Sequence, residues 1–414
     1  METTHAATAR KITRTLLAVQ GLGQAAVVAL FPIMAIVGAK LGGRPDWAGV
    51  PAMCYQLGQA FAAYGWGYAM DPLGRRGMLV LGALAGAAGA LISTAAVVSV
   101  SLWSFLLGST LVGVAISAVQ LSRFVAAEVH QASERARAIS TVVVGGTLGA
   151  IVGPLIAGPM SRIAAGLGLD ELSGPYGAST GLFVAAAAVI FLLLRPEPRD
   201  LGRAIASRAG GATAPREPTR TIPEIYAQRP AQVATAAMVC GQLVMVMLMV
   251  ITPLHMRGHH HAISTISYVI SGHVVGMYAF SVVSGQLADR WGRGPVVMAG
   301  ATVLILACLA ATLSPQVLPL TVALFLLGLG WNLCYVGGSS LLADQLSPAE
   351  RARTQGFNDL LIGLASAAGS LGSGIVFATI GYNAMGLVGA ATALIPLTTA
   401  ALWQTRGRAV TAMP

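Results

Sequence analysis

Apolar residues in this chain come in long runs near the ~20 residues that an α-helix needs to cross a bilayer core, and short polar segments recur between them. Twelve such runs are read, at about 12–38, 46–70, 77–99, 102–128, 138–161, 179–194, 231–255, 262–288, 295–313, 317–344, 355–377 and 383–404. Composition agrees with a chain that avoids water. Of 414 residues, 55% are hydrophobic and 10% charged, with a mean hydropathy of +0.73. A soluble domain carries roughly 25% charged residues. The sequence therefore reads as an all-α membrane protein of twelve transmembrane helices. No small-residue cleavage site follows a short apolar core in residues 1–15, so the first run is expected to remain as a span. Cys54, Cys240, Cys308 and Cys334 all fall inside apolar runs, which reads as buried free thiols and not as a disulfide framework.

A net charge of +10 raises the question of nucleic acid, but its placement reports membrane topology. Arg and Lys in short loops mark the cytoplasmic side. With the N-terminus inside, 20 of the 25 basic residues fall in the two termini and the even-numbered loops. Seven of these, Arg195 to Arg229, lie in the long middle loop. Lys40, Arg44, Arg162 and Arg257 fall outside, and Arg123 lies within a span. Both termini are thus expected in the cytoplasm, with the lipid bilayer as partner and no nucleic acid.

The middle loop, 195–230, is rich in Arg, Pro, Ala and Gly without an apolar period, and reads as a linker between two six-helix bundles, 1–194 and 231–414. An internal repeat supports that division. Gly67-Tyr-Ala-Met-Asp71-Pro-Leu-Gly74-Arg75-Arg76 is echoed by Gly285-Gln-Leu-Ala-Asp289-Arg290-Trp-Gly292-Arg293 at an offset of 218 residues. Ser133-Glu134-Arg135-Ala-Arg137-Ala is echoed by Ala349-Glu350-Arg351-Ala-Arg353-Thr at an offset of 216. Two matches at nearly one offset indicate duplication of a six-helix unit. These segments resemble the signature of the major facilitator superfamily, placed between its second and third helices and, more weakly, between its eighth and ninth. The resemblance covers the whole chain and implies that fold, two pseudo-symmetric bundles, without naming a substrate. Glycine would allow close helix packing. Asp71 and Asp289, with Arg75 and Arg293, would pair at a cytoplasmic gate whose breaking lets the halves rock apart.

Gly149-Ala-Ile-Val-Gly153-Pro154 in the fifth span looks like a motif of antiporters in the superfamily, and equally like tight packing at a kinked helix. Arg123 is costly to bury, and analogy makes it a gating or proton-linked residue unless it snorkels to the interface. The carboxylates Asp71, Glu128, Glu134, Asp289, Asp344 and Asp359 sit at helix ends or in loops. The expected cavity lining, Gln20, Gln24, Gln56, Gln59, Tyr64, Gln120, Asn332 and Tyr335, is polar but neutral, so a strongly charged organic substrate finds no counter-ion beyond Arg123.

Spans seven and eight carry soft ligands. Met245 and Met249 stand four apart on one helix face, as do His273 and Met277 on the next span. At 1.5 Å rise, Met245 and Met249 lie roughly 21 and 27 Å from the cytoplasmic end, and Met277 and His273 roughly 17 and 23 Å, at overlapping depths. Thioethers with one imidazole suit Cu(I) and serve hard ions poorly. A methionine pair in an apolar helix is by default core packing, whereas a histidine in mid-membrane is by default functional. Their conjunction favours a metal path. Between the same spans, His255-Met256-Arg257-Gly-His259-His260-His261 offers five potential ligands in seven residues, either a capture site outside the membrane or a solvated turn.

The Met-x-x-x-Met and His-x-x-x-Met pairs resemble those of the CcoA-type bacterial copper importers, in which they are the metal-binding motifs of the seventh and eighth helices. The resemblance implies copper uptake by alternating access across a bacterial inner membrane, with Met245, Met249, His273 and Met277 as ligands. Copper would be the substrate, no cofactor is expected, no bond of the cargo is broken, so the chain is no enzyme, and it would act as a monomer. The same branch includes riboflavin carriers. A flavin or drug carrier using the Gln, Tyr and Trp surface, or a drug-efflux antiporter, is the alternative. A metal sensor is disfavoured because 195–230 is too short to form an output domain.

Overall fold

The computed structural model describes residues 2–131, 134–208 and 220–411, without the side chains of 2–6, 64, 67–69, 71, 136, 206–208, 348, 349, 352 and 406–411. Asp71 and Tyr64 thus lie outside the described residues as side chains. All regular structure described is helical. The helices are α1 (Glu2–Val28), α2 (Phe31–Gly42), α3 (Val50–Val98), α4 (Leu102–Gln120), α5 (Ser122–Glu128), α6 (Arg135–Gly166), α7 (Gly174–Leu193) and α8 (Pro198–Arg208). They continue with α9 (Ile222–Tyr226), α10 (Arg229–Gly258), α11 (Ile263–Tyr278), α12 (Ser281–Trp291), α13 (Arg293–Ala311), α14 (Val317–Ala343) and α15 (Pro348–Thr411).

Ten helical stretches among the described residues are long and apolar enough to cross a membrane. Eleven of the twelve expected runs map onto them, two of these sharing the last stretch, and the run at 46–70 falls largely on the first part of α3, outside the ten. Gly74 breaks α3 with φ 72° and ψ 170°, and Gly381 breaks α15 with φ 83° and ψ 179°. Each long helix therefore holds two runs. Three other spans are each interrupted once, between α1 and α2, α4 and α5, and α11 and α12.

The repeated loop motif owes its second glycine to backbone conformation. Gly74 and Gly292, 218 residues apart, take φ 72° and 90° with ψ near 170° and 161°, a region essentially closed to residues with a Cβ. The first glycine of the second copy does not serve close packing as expected, because a Cβ on Gly285 would meet nothing within 4 Å. In α6, by contrast, a Cβ on Gly149 would stand 2.1 Å from the Gly21 carbonyl oxygen of α1. The glycines of that span pack helix on helix.

The chain divides into two compact units. One comprises Met1–Gly42, Cys54–Ala214 and Ala262–Ser267; the other comprises Gly43–Met53, Pro215–His261 and Tyr268–Pro414. The expected linker is partly structured. Leu201 of α8 is buried in a core cluster of the first unit with Ile12, Leu16, Val125 and Ile190, and Ile205 packs against it. Glu197 accepts the Arg75 backbone N–H at 2.6 Å. At its other end the linker is tied within the second unit. Arg220 donates through Nε (2.9 Å) and Nη2 (2.7 Å) to the two oxygens of Glu350, and its own backbone N–H adds a third bond at 2.8 Å. Glu350 also accepts from the Ser347 backbone and is 2% exposed. The Arg220 guanidinium, aided by these backbone donors, holds the Glu350 carboxyl well below the ordinary carboxylate range.

Two outcomes follow. Gly292→Ala is expected to cost about 1–3 kcal/mol through its backbone alone, lowering the detergent melting temperature, while Gly285→Ala, inside a helix with open space around it, leaves that temperature equal or higher. For Glu350 the folded-state pKa is depressed, so its stabilisation is present above about 4.3, the ordinary value, and fades as pH falls below it. The melting-temperature gap between wild type and Glu350→Gln should be full at pH 7 and close in acid; a gap independent of pH would refute the pairing.

Candidate functional site

Both soft-ligand pairs lie in the second unit and are largely buried. Met245 and Met249 of α10 are 6% and 7% exposed, and His273 of α11 is fully buried. Helices α11 and α14 meet here backbone to backbone. A Cβ on Gly328 would stand 2.3 Å from the His273 carbonyl oxygen, and one on Gly276 would stand 2.3 Å from that of Phe325. This approach brings the His273 ring onto α14, where Nδ1 donates to the Leu324 carbonyl at 2.8 Å. A carbonyl only accepts, so the proton sits on Nδ1 and Nε2 presents a lone pair. That Nε2 is buried and has no hydrogen-bond partner.

Met277 stands at the end of α11, where the span is interrupted before α12 begins at Ser281. A break within a membrane span frees carbonyls that lipid cannot satisfy. Asn332 of α14 fills the role, donating to the Met277 carbonyl (2.6 Å) and Ser281 Oγ (2.9 Å) and accepting from Ser284 Oγ (2.5 Å). Asn332 is 3% exposed, so it braces the helix break instead of lining a cavity as expected. The pattern of the sequence carried no sign of that role, since a lone Asn in an apolar run has several possible partners.

Beside these residues lies an aromatic and amide group drawn from α10, α11, α14 and α15. Trp331 stacks on Tyr335 with centroids 5.0 Å apart, and Tyr278 meets Trp331 edge-on at 6.3 Å. Trp331 Nε1 donates to Gln242 Oε1 at 2.7 Å, and Gln242 Nε2 donates to Ser366 Oγ at 2.8 Å. Gln242 stands three residues before Met245, and Tyr278 is next to Met277.

The histidine-rich segment does not gather into one site. No group of three or more His, Cys, Asp or Glu suited to a metal forms among the described residues. Met256 is fully buried, and His261 Nε2 bonds the Pro315 carbonyl. His260 is exposed with φ 62°, and only His255 and His259 pair, with ring centroids 4.5 Å apart. At the loop motifs, Arg75 forks onto Glu128 (2.8 and 3.0 Å), and Arg293 bridges Asp289 (2.6 Å) and Asp344 (3.1 Å). Every one of these ion pairs closes inside a single unit. Arg123 opens α5 with its guanidinium 4.9 Å over the Phe124 ring, and its Nε is buried without a partner.

The chain matches the description of the Major Facilitator Superfamily over residues 16–258 and again over 233–412. It belongs to the Major Facilitator Superfamily. Within this superfamily it is 33% identical over 396 residues to the uncharacterized transporter YdeG of Bacillus subtilis, covering 94% of this chain and 90% of that protein. It is 31% identical over 360 residues to the riboflavin transporter RfnT of Brucella anthropi, covering 87% of each. Among solved structures, the nucleoside transporter NupG aligns with a TM-score of 0.71 at 15% identity, over 95% of this chain and 98% of that one. The inward-open xylose transporter XylE of E. coli aligns at 0.70 and 15% identity, over 94% and 95%. Such identities show the fold alone. The protein is a multi-pass membrane transporter of Major Facilitator Superfamily architecture.

An orphaned nitrogen costs stability and a braced break supplies it. Asn332→Leu is expected to lower the detergent melting temperature, as three partners lose a bond at about 1–3 kcal/mol for a buried polar group left alone. His273→Leu, which removes the unpartnered Nε2, should leave the metal-free protein as stable or more so.

Proposed function

We propose that this transporter imports copper, as Cu(I), by alternating access across a bacterial inner membrane, with both termini in the cytoplasm. The observation that supports the reading most strongly is the His273 imidazole. Its Nδ1 proton is fixed on a backbone carbonyl and its Nε2 lone pair is buried without a partner. Metal-binding histidines are characteristically oriented this way, with the far N–H on a carbonyl or carboxylate. Met277 lies one turn on, and the buried thioethers of Met245 and Met249 stand on α10 of the same unit. Neutral sulfur and nitrogen donors suit a soft monovalent cation and leave no permanent charge in the membrane when the site is empty. The cargo crosses without any covalent change.

A second reading is favoured by different observations. The relative RfnT is a riboflavin transporter, and the Trp331–Tyr335 stack with Gln242 offers a planar aromatic face beside an amide. That chemistry suits a flat heteroaromatic cargo.

Uptake separates the two. In a strain deficient in copper import, the wild type should restore copper accumulation. His273→Ala and Met245→Ala/Met249→Ala should reduce it at least about tenfold, the scale of a lost metal contact, while Trp331→Ala retains it. Unchanged copper uptake in both ligand variants, with riboflavin rescue of an auxotroph that Trp331→Ala abolishes, would overturn copper in favour of the flavin.

A further inference from the structure

We infer that His255 and His259 form a two-imidazole binding site for a divalent d-block ion, Cu(II), Ni(II) or Zn(II), separate from the thioether and imidazole groups deeper in the same unit. The two residues stand four apart at the C-terminal end of α10, the spacing that places side chains on one helix face. Their ring centroids are 4.5 Å apart. Each ring is held. His255 stacks on Tyr382 with centroids 4.0 Å apart and planes within 4°, and Tyr382 is itself anchored by its hydroxyl at 2.8 Å from Thr252 Oγ1. Stacking fixes the plane of the imidazole through its face and leaves its nitrogens, at the ring edge, to other partners. His259 donates Nδ1–H to the His255 carbonyl at 3.0 Å, so its Nε2 carries the lone pair, and the residue is exposed. Both features are what a preorganised imidazole ligand requires.

The helix ending adds a second observation. His260 occupies the left-handed position of the turn that closes α10, with φ 62°, where glycine is the usual residue. The following N–H, of His261, returns to the Met256 carbonyl at 3.2 Å. This turn directs the chain away after His259. His261 turns to Pro315, which leaves a pair and not a five-ligand cluster.

Two imidazoles favour borderline divalent ions, whereas the deeper donors are mostly sulfur and favour Cu(I). His255 lies six residues beyond Met249, about 9 Å along the helix at 1.5 Å per residue. On the proposed orientation the pair faces the outside, at the start of the copper path; the pair's geometry stands independently of that reading.

The test is Cu(II) and Ni(II) titration of the full-length, tag-free protein in detergent, with electron paramagnetic resonance of the Cu(II) form. Wild type should bind one equivalent of Cu(II) with nitrogen hyperfine structure. His255→Ala and His259→Ala should each weaken binding at least tenfold, whereas His260→Gly, His261→Ala and His273→Ala should stay within about twofold of wild type. Equal weakening by His260→Gly or His261→Ala, or none by His255→Ala and His259→Ala, would overturn the pair. Because binding is read without transport, loss of copper uptake in His273→Ala with Cu(II) binding intact separates the fate of this site from that of the transport reading.

Discussion

A peptide carbonyl freed inside a hydrocarbon core has no water to bond, and this constraint governs the helix break beside the candidate site. The span holding His273 and Met277 is not one continuous helix; it stops at Tyr278 and restarts at Ser281. Asn332 satisfies the Met277 carbonyl at that stop and holds two serines beyond it. A few residues earlier, Gly276 and Gly328 allow α11 and α14 to touch through their backbones, which sets His273 against Leu324. The brace, the glycine contact and the imidazole hydrogen bond thus belong to one interface. Its single unsatisfied atom of note is His273 Nε2. A buried polar group without a partner is costly, and on the proposed function the bound copper ion would supply that partner.

The duplicated loops show the same economy in the two units. In each, a glycine with positive φ turns the chain, and an arginine immediately after it reaches an acid near the end of a later span. Arg75 meets Glu128 in the first unit, and Arg293 meets Asp344 in the second. The acids, like the glycines, stand 216 to 218 residues apart, so the repeat seen in the loops extends to their partners. The linker engages the same regions, through Glu197 on the Arg75 backbone and Arg220 on Glu350. It is therefore a structured element at both ends, and α8 forms part of the first unit's core.

The apolar spans and the all-helical membrane fold were legible because the bilayer imposes a length and a hydropathy that any sequence must display. The burial of Met245, Met249 and His273 was legible because each stands well inside an apolar run. What escaped were contacts between helices distant in sequence. Trp331 bonding Gln242, Tyr382 beneath His255, and Asn332 at the helix break each join residues 48 to 127 positions apart or more finely placed than any period shows. The role of the motif glycines was also misjudged at Gly285, since a glycine letter does not say whether it serves packing or dihedral freedom. The histidine run misled in the opposite direction. Seven consecutive residues look like a cluster, but the end of α10 sends Met256 into the core and His261 toward Pro315.

The proposed copper path requires the ion to meet both sulfur and the His273 nitrogen, and X-ray absorption at the copper edge reads those neighbours directly. Measured on the purified protein loaded with one equivalent of Cu(I), with His255 and His259 both replaced by Ala, the spectrum should show sulfur neighbours together with one imidazole nitrogen. The nitrogen should disappear in the additional His273→Ala variant. A shell of nitrogen or oxygen alone, or a spectrum unchanged by His273→Ala, would contradict it.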